Sequence, residues 1–234
     1  MVFGICFLEF SSGKQLELTN QFVEPKFSSM KKYLVEFIGT FFLVLTIVMS
    51  VNTLGANGFV APLAIGSALM VMIFAGGHIS GAHYNPAVTL GVLMRGKISM
   101  ADVPGYMIAQ VLGGVAAAAL GTFLLGEKAP DATKALAADA VPALIAEILG
   151  TFALVYVILN VATSKGTANN SFYGLAIGFT VTAMAYALGP ISGGAFNPAV
   201  AIGVSVASMF SWGSIWIYLV GCFAGGALAA LVFN

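Results

Sequence analysis

The stretch Ile79-Ser80-Gly81-Ala82-His83-Tyr84-Asn85-Pro86-Ala87-Val88 returns 112 positions later as Ile191-Ser192-Gly193-Gly194-Ala195-Phe196-Asn197-Pro198-Ala199-Val200. Proline suits the first turn of a helix, because it needs no N–H there and its φ is already set. Asn is a favoured N-cap. Each Asn-Pro-Ala triplet therefore predicts a helix start, capped by Asn85 in one copy and Asn197 in the other. The apolar segments that follow, about residues 85–94 and 197–207, are short. Ten helical residues rise about 15 Å, half of the roughly 30 Å hydrocarbon core of a bilayer.

A bilayer is the relevant solvent. The chain has 234 residues, of which 59% are hydrophobic and 8% charged, with a mean hydropathy of +0.99. Ordinary soluble domains carry about 25% charged residues. Nine basic and nine acidic side chains balance, so no net charge attracts nucleic acid. Cys6 and Cys222 form neither a disulfide framework nor a metal-ligand spacing. Apolar segments long enough to span fall at about 33–52, 59–77, 101–125, 142–162, 172–189 and 213–233. The expected fold is an all-α integral membrane protein with six spans and two half-helices.

The repeat extends well beyond the two triplets. Leu63-Ala64-Ile65-Gly66 recurs as Leu175-Ala176-Ile177-Gly178, and Gly113-Gly114 as Gly225-Gly226, both at an offset of 112. Glu36-Phe37-Ile38-Gly39-Thr40-Phe41 recurs as Glu147-Ile148-Leu149-Gly150-Thr151-Phe152 at 111. Each copy holds three spans, an odd number, so the second copy enters the membrane from the opposite side. Such inverted repeats place a site at the bilayer midplane. The expected division is a tail over 1–29, a first repeat over 30–126, a linker over 127–141 and a second repeat over 142–234. Met1–Phe10 lacks a basic front and does not read as a signal peptide. With the N-terminus inside, Lys14, Lys26, Lys31, Lys32, Arg95, Lys97 and Lys165 face the cytoplasm, and only Lys128 and Lys134 face out. That asymmetry predicts two cytoplasmic termini.

Gly76, Gly77 and Gly81 precede the first triplet, and Gly189, Gly193 and Gly194 the second. Non-helical backbone at membrane depth survives only inside protein or along a wet cavity. The economical geometry is two re-entrant loops, each returning as a half-helix, with the helix tips meeting at mid-membrane. Two helix N-termini aimed at one spot make it positive. The Asn amides can donate to a passing oxygen, while loop carbonyls supply acceptors along the path. Such a lining hydrates a small neutral molecule in single file, repels cations and interrupts a proton wire.

His78-Ile79-Ser80-Gly81-Ala82-His83-Tyr84-Asn85-Pro86-Ala87-Val88-Thr89 and Gly193-Gly194-Ala195-Phe196-Asn197-Pro198-Ala199 resemble the two signature loops of the aquaporin and aquaglyceroporin family, the major intrinsic proteins. The likeness covers about residues 31–234. It implies a pore in every protomer, a homotetramer in lipid, and passive flow of water and small neutral solutes without a cofactor or metal. It implies that backbone at Gly81, Ala82, His83, Gly193 and Ala195 lines the pore. It implies that Glu36 and Glu147 accept hydrogen bonds from the re-entrant loops, whose N–H groups need partners. Gly113, Ala117 and Gly121, and likewise Gly221, Gly225 and Ala229, read as small-residue faces for close helix packing. For His78 a fixed structural hydrogen bond is expected ahead of a pH-dependent gate.

The sequence departs from the family at the outer constriction. An arginine is usual three positions after the second Asn, and here that position is Val200. Arg95, the single arginine, falls in a predicted cytoplasmic loop. The remaining constriction positions fall on Ile65, Ala185 and Gly194, where an aromatic and a histidine are common at the first two. The expected opening is wide and apolar, admitting glycerol, urea, ammonia or undissociated metalloid acids beside water. Phe196 or Tyr186 could fold in and narrow it, which would leave a strict water channel. A structural or junctional membrane protein is the alternative of another class. An active transporter would need midplane carboxylates beyond Glu36 and Glu147, and no catalytic constellation stands out. The short tails and compact loops suggest a bacterial inner membrane.

Overall fold

A computed structural model describes residues 27–54 and 60–234, with side chains from residue 30 onward. The predicted tail, residues 1–29, thus lies almost wholly outside the described residues. Eight α-helices follow in order: α1 (Phe27–Thr53), α2 (Ala61–Ser80), α3 (Pro86–Met94), α4 (Val103–Leu125), α5 (Ala140–Thr163), α6 (Tyr173–Ser192), α7 (Pro198–Val206) and α8 (Ile215–Phe233). Six of them are long and apolar enough to cross a membrane. The other two, α3 and α7, have nine residues each.

The inverted repeat is visible in the packing. In the first half α1 packs on α2 and α4; in the second, α5 packs on α6 and α8. The halves exchange partners through their half-helices, with α3 against α8 and α7 against α4. Between the halves α2 meets α6. At that interface a Cβ on Gly66 would lie 2.4 Å from the Gly178 carbonyl, and one on Gly178 would lie 2.5 Å from the Gly66 carbonyl. Gly66 and Gly178 are equivalent residues of the two copies. Equivalent residues meet their own counterparts only near a twofold axis, so this contact locates the pseudo-twofold.

The helices run further than their apolar patterns suggest. Gly76 and Gly77 lie inside α2, and Gly189 lies inside α6 together with Pro190. The non-helical stretches before the half-helices are only residues 81–85 and 193–197, the last of each being the capping Asn. Gly81 and Gly193 end the helices in the left-handed region, at φ 85° and 89°, and their N–H groups bond to the Gly77 and Gly189 carbonyls. A glycine C-cap of this kind satisfies end carbonyls at no Cβ penalty. Short loops are what the environment demands, since each extra non-helical residue strands backbone polar groups in apolar surroundings.

Candidate functional site: the paired half-helices

Asn85 and Asn197 do the same two jobs. Asn85 Oδ1 accepts from the N–H groups of Ala87 and Val88, at 2.8 and 3.4 Å. Asn197 Oδ1 accepts from Ala199 and Val200, at 2.9 and 3.4 Å. Capping fixes the orientation of each amide, because the oxygen must face the helix N–H groups. The nitrogen is then aimed across the midplane. Asn85 Nδ2 donates to the Phe196 carbonyl at 2.9 Å, and Asn197 Nδ2 donates to the Tyr84 carbonyl at 2.8 Å. Each half-helix is therefore tied to the loop of the other half. Two loop carbonyls, those of Tyr84 and Phe196, are thus occupied by the opposite Asn. Each Asn amide still has one further N–H to offer.

Glu36 and Glu147 are fully buried. Glu36 Oε1 accepts from Ser80 Oγ (2.6 Å) and the His83 N–H (3.0 Å). Its Oε2 accepts from the Tyr84 N–H (2.7 Å) and Gln110 Nε2 (2.8 Å). Glu147 Oε1 accepts from Ser192 Oγ (2.7 Å) and the Ala195 N–H (3.0 Å). Its Oε2 accepts from the Phe196 N–H (2.7 Å) and Cys222 Sγ (3.4 Å). Each carboxylate gathers the donors of a loop that has no helix or sheet to bond to. Bonds to a charged acceptor are the strong ones, and they hold loop residues in unusual backbone regions. Ala82, Tyr84 and Phe196 have φ near +50°, and Gly194 has φ 70°.

Several members of this network carried no assigned role in the sequence reading. Tyr106 Oη donates to the Ser80 carbonyl and Tyr218 Oη to the Ser192 carbonyl, both at 2.6 Å. Thr89 Oγ1 donates to the Asn85 carbonyl (3.1 Å) and contacts His83 Nδ1 (3.1 Å) and Gln110 Nε2 (3.0 Å). Ser80 and Ser192, like Tyr106 and Tyr218, stand 112 apart. The repeat offset that found the triplets could have found these pairs too.

The residues expected to line a pore border two cavities. One of about 580 Å³, on the side of the linker between the halves and so named the outer cavity from the expected orientation, is bordered by Asn85, Asn197, Ile65, Ala185, Gly194 and Val200, together with Ala82, His83, Gly193 and Ala195. A second, of about 970 Å³, is bordered by His78, Gly81, Ala82, His83, Lys97 and Lys165. Ile73, Ala82, His83, Val88, Ile158 and Ile177 border both. Ala87, Pro86, Pro198 and Ala199 are buried in the half-helix starts behind the path. His78 is exposed on the second cavity, and among the described residues no side-chain bond fixes its ring. The expected structural hydrogen bond is thus replaced by an open position in the last turn of α2.

Phe196 and Tyr186 leave the outer cavity open. The Phe196 ring is tucked against α5, where a Cβ on Gly150 would lie 2.2 Å from it. Tyr84 fills the matching hollow at Gly39 in the first half. Tyr186 is exposed and does not border the cavity. The small-residue faces do close packing work, with Gly113 against the Phe37 carbonyl and Gly225 against the Ile148 carbonyl.

Comparison with known proteins agrees with this geometry. The chain is 39% identical over 219 residues to the protein named Probable aquaporin TIP2-2 of Arabidopsis thaliana, covering 88% of this chain and 87% of that one. It is 37% identical over 210 residues to Glycerol uptake facilitator protein-like 6 of Lactiplantibacillus plantarum, covering 86% and 95%. Its fold resembles the crystal structure of the aquaglyceroporin from Plasmodium falciparum, with a TM-score of 0.75 at 22% identity, covering 88% and 96%. The family profile described as major intrinsic protein matches residues 27–233, with an overlapping match over 2–77. With paired capping asparagines, crossed half-helices and relatives covering most of its length, the chain belongs to the major intrinsic protein family.

Proposed function

We propose that the protein is a passive membrane channel for water and small neutral solutes, with glycerol, urea, ammonia and undissociated metalloid acids as the solute class. The observation that carries this reading is the outer cavity, which joins the two Asn amides to Ile65, Ala185, Gly194 and Val200 without a charged or aromatic side chain among those four. A solute oxygen at the Asn pair meets two N–H donors, since both amide oxygens are engaged in capping. A water there accepts from both and points its own protons away, which breaks a proton chain at that point. A bare ion would lose several kcal/mol of hydration in the surrounding apolar wall. A glycerol or urea molecule can instead lay its apolar side on that wall and exchange its polar groups with backbone.

The relatives named as an aquaporin and as a glycerol uptake facilitator support both water and polyol passage. Homotetramer assembly in lipid follows from family likeness, and the seven-to-two split of basic residues supports cytoplasmic termini. A bacterial inner membrane agrees with the likeness to a bacterial facilitator, although plant relatives match as well.

Stopped-flow light scattering on proteoliposomes, with water and glycerol gradients on one preparation, tests the proposal. Both solutes should move faster than through empty vesicles. Val200→Arg should lower glycerol flux at least tenfold, because a guanidinium fills the apolar opening and adds a fixed charge (a tenfold change is about 1.4 kcal/mol). Water flow without glycerol entry in the unmutated protein would assign it as a strict water channel.

A further inference from the structure

The pseudo-twofold axis that brings Gly66 against Gly178 also relates one end of the path to the other. Each residue of the outer quartet therefore has a counterpart on the inner side, at the repeat offset of 112: Ile65 and Ile177, Ala185 and Ile73, Gly194 and Ala82, Val200 and Val88. The two quartets stand differently toward open space. The outer four border the outer cavity only, and Ile65, Ala185 and Gly194 are partly exposed. The inner four border both cavities, and all of them are buried. Open space thus runs past the outer quartet and is pinched where the inner one stands.

The reason lies in positions where the two copies differ. Ile73 carries a branched butyl group where Ala185 carries a methyl, and Ala82 carries a methyl where Gly194 has none. Ala82 keeps that methyl in the left-handed region, at φ 51°, which glycine adopts with less strain. His83 adds a ring where the outer side has Ala195, and Thr89 Oγ1 lies 3.1 Å from its Nδ1. Ile158 borders the same junction. β-Branched side chains have few rotamers. Ile73 and Ile177 sit on α2 and α6, the helices that meet at the Gly66–Gly178 contact. Stiff side chains on closely packed helices give way little to a passing solute. A solute that enters the outer cavity freely is therefore sized further in.

We infer that Ile73, Ala82, Val88 and Ile177 form the size-selecting neck of the path, with Ile73 its main specificity-determining residue, so that selection by size lies on the inner side. The inference rests on the channel reading above, and its test separates the two. Full-length protein in liposomes is assayed with water, urea, glycerol and erythritol, and with sodium as a measure of leak. Ile73→Ala should raise the glycerol-to-water and erythritol-to-water flux ratios several-fold, erythritol more than glycerol, with sodium still excluded. Ile73→Phe should lower the glycerol-to-water ratio several-fold. A bundle merely loosened by lost packing would admit sodium as well and would not rank solutes by size. If Ile73→Ala leaks or fails to fold, Ile73→Val and Ile73→Phe give the size series. Unchanged ratios in folded, sodium-tight variants would overturn the inference. If the unmutated protein passes water alone, the broad-solute reading fails; the inference then stands if Ile73→Ala admits urea and falls if it does not. If the unmutated protein passes nothing, water flux gained in Ile73→Ala supports it and silence overturns it.

Discussion

Glu36 and Glu147 accept from three matching donors, a serine hydroxyl and two loop N–H groups, and differ in the fourth. In the first half that donor is the Gln110 amide; in the second it is the Cys222 thiol. Gln110 reaches on to Thr89, and Thr89 to His83. The second half has Ala201 and Ala195 at the places of Thr89 and His83, and the chain of polar contacts stops there. The backing of the loops differs in the same sense. Tyr106 meets Tyr33 edge-on at 5.9 Å, and Tyr33 donates to Asp102, which pairs with Lys32. Tyr218 stacks on Phe210, whose backbone pairs with Leu136 of the linker. What recurs is the part the backbone requires, since loop N–H groups in an apolar interior need an acceptor. What varies is how each loop is braced: by polar groups in one half and by apolar stacking in the other.

The largest effect should come from removing a carboxylate charge. Glu36→Gln keeps the shape but places an N–H₂ group where an oxygen accepted, so at least one loop N–H is stranded and the other bonds lose their charge. A stranded buried donor costs about 1–3 kcal/mol, and bonds to charged groups contribute about 1.5–3 each. A destabilisation of roughly 2–5 kcal/mol follows on that scale, with loss of flux. Glu147→Gln should cost about 1 kcal/mol less, because its fourth bond, from the Cys222 thiol, is weaker to begin with than the Gln110 amide bond to Glu36. Melting midpoints in detergent for the two variants would compare them. A larger loss for Glu147→Gln would reverse the contrast between the halves.

The fourth donor isolates that contrast. Gln110→Ala removes a bond to Glu36 and one to Thr89, at a place with no exposure. Part of the loss is offset, since Gln110 Oε1 is itself buried without a partner among the described residues. A net destabilisation of about 1–3 kcal/mol is expected. Cys222→Ala should stay within about 1 kcal/mol, because a buried thiol behaves mainly as a small apolar group and a weak donor. Equal losses at the two positions would show that the thiol braces its loop as strongly as the amide does.

The fold was legible from one offset. Apolar length gave the six spans, the Asn-Pro pairs gave the two half-helices, and the offset gave an odd number of spans per copy, hence the inversion. Asn85 and Asn197 were legible as caps because Pro follows each of them. Their cross-membrane bonds were not, since nothing in a linear pattern says that Asn85 faces Phe196, 111 residues away. The loops were read too long, because glycine in a membrane helix allows close approach as well as turning. Gly76 faces the Tyr84 hydroxyl in just this way. The bridge of Leu136 to Phe210 was invisible for a different reason: one leucine between helices carries no periodicity, and the backbone pairing exists only in three dimensions.

The smallest effect should come from the polar end of the brace behind the first loop. Lys32 and Asp102 stand 3.6 Å apart with side chains 34% and 22% exposed. Water competes for both, and partly exposed pairs of this kind contribute about 0–1 kcal/mol. Asp102→Asn keeps an oxygen to accept the Tyr33 hydroxyl, which donates at 3.1 Å, so the edge-on contact of Tyr33 with Tyr106 survives. The expected change in melting midpoint is therefore barely measurable, and what there is should vanish at about 1 M salt, where the screening length falls to roughly 3 Å. Flux should follow the same pattern, because Tyr106 still holds the Ser80 carbonyl. A loss of more than about 2 kcal/mol, unmoved by salt, would exceed what a screened pair contributes. It would mean that charge anchors the first loop as firmly as stacking anchors the second, and that the halves differ in chemistry but not in the strength of their bracing.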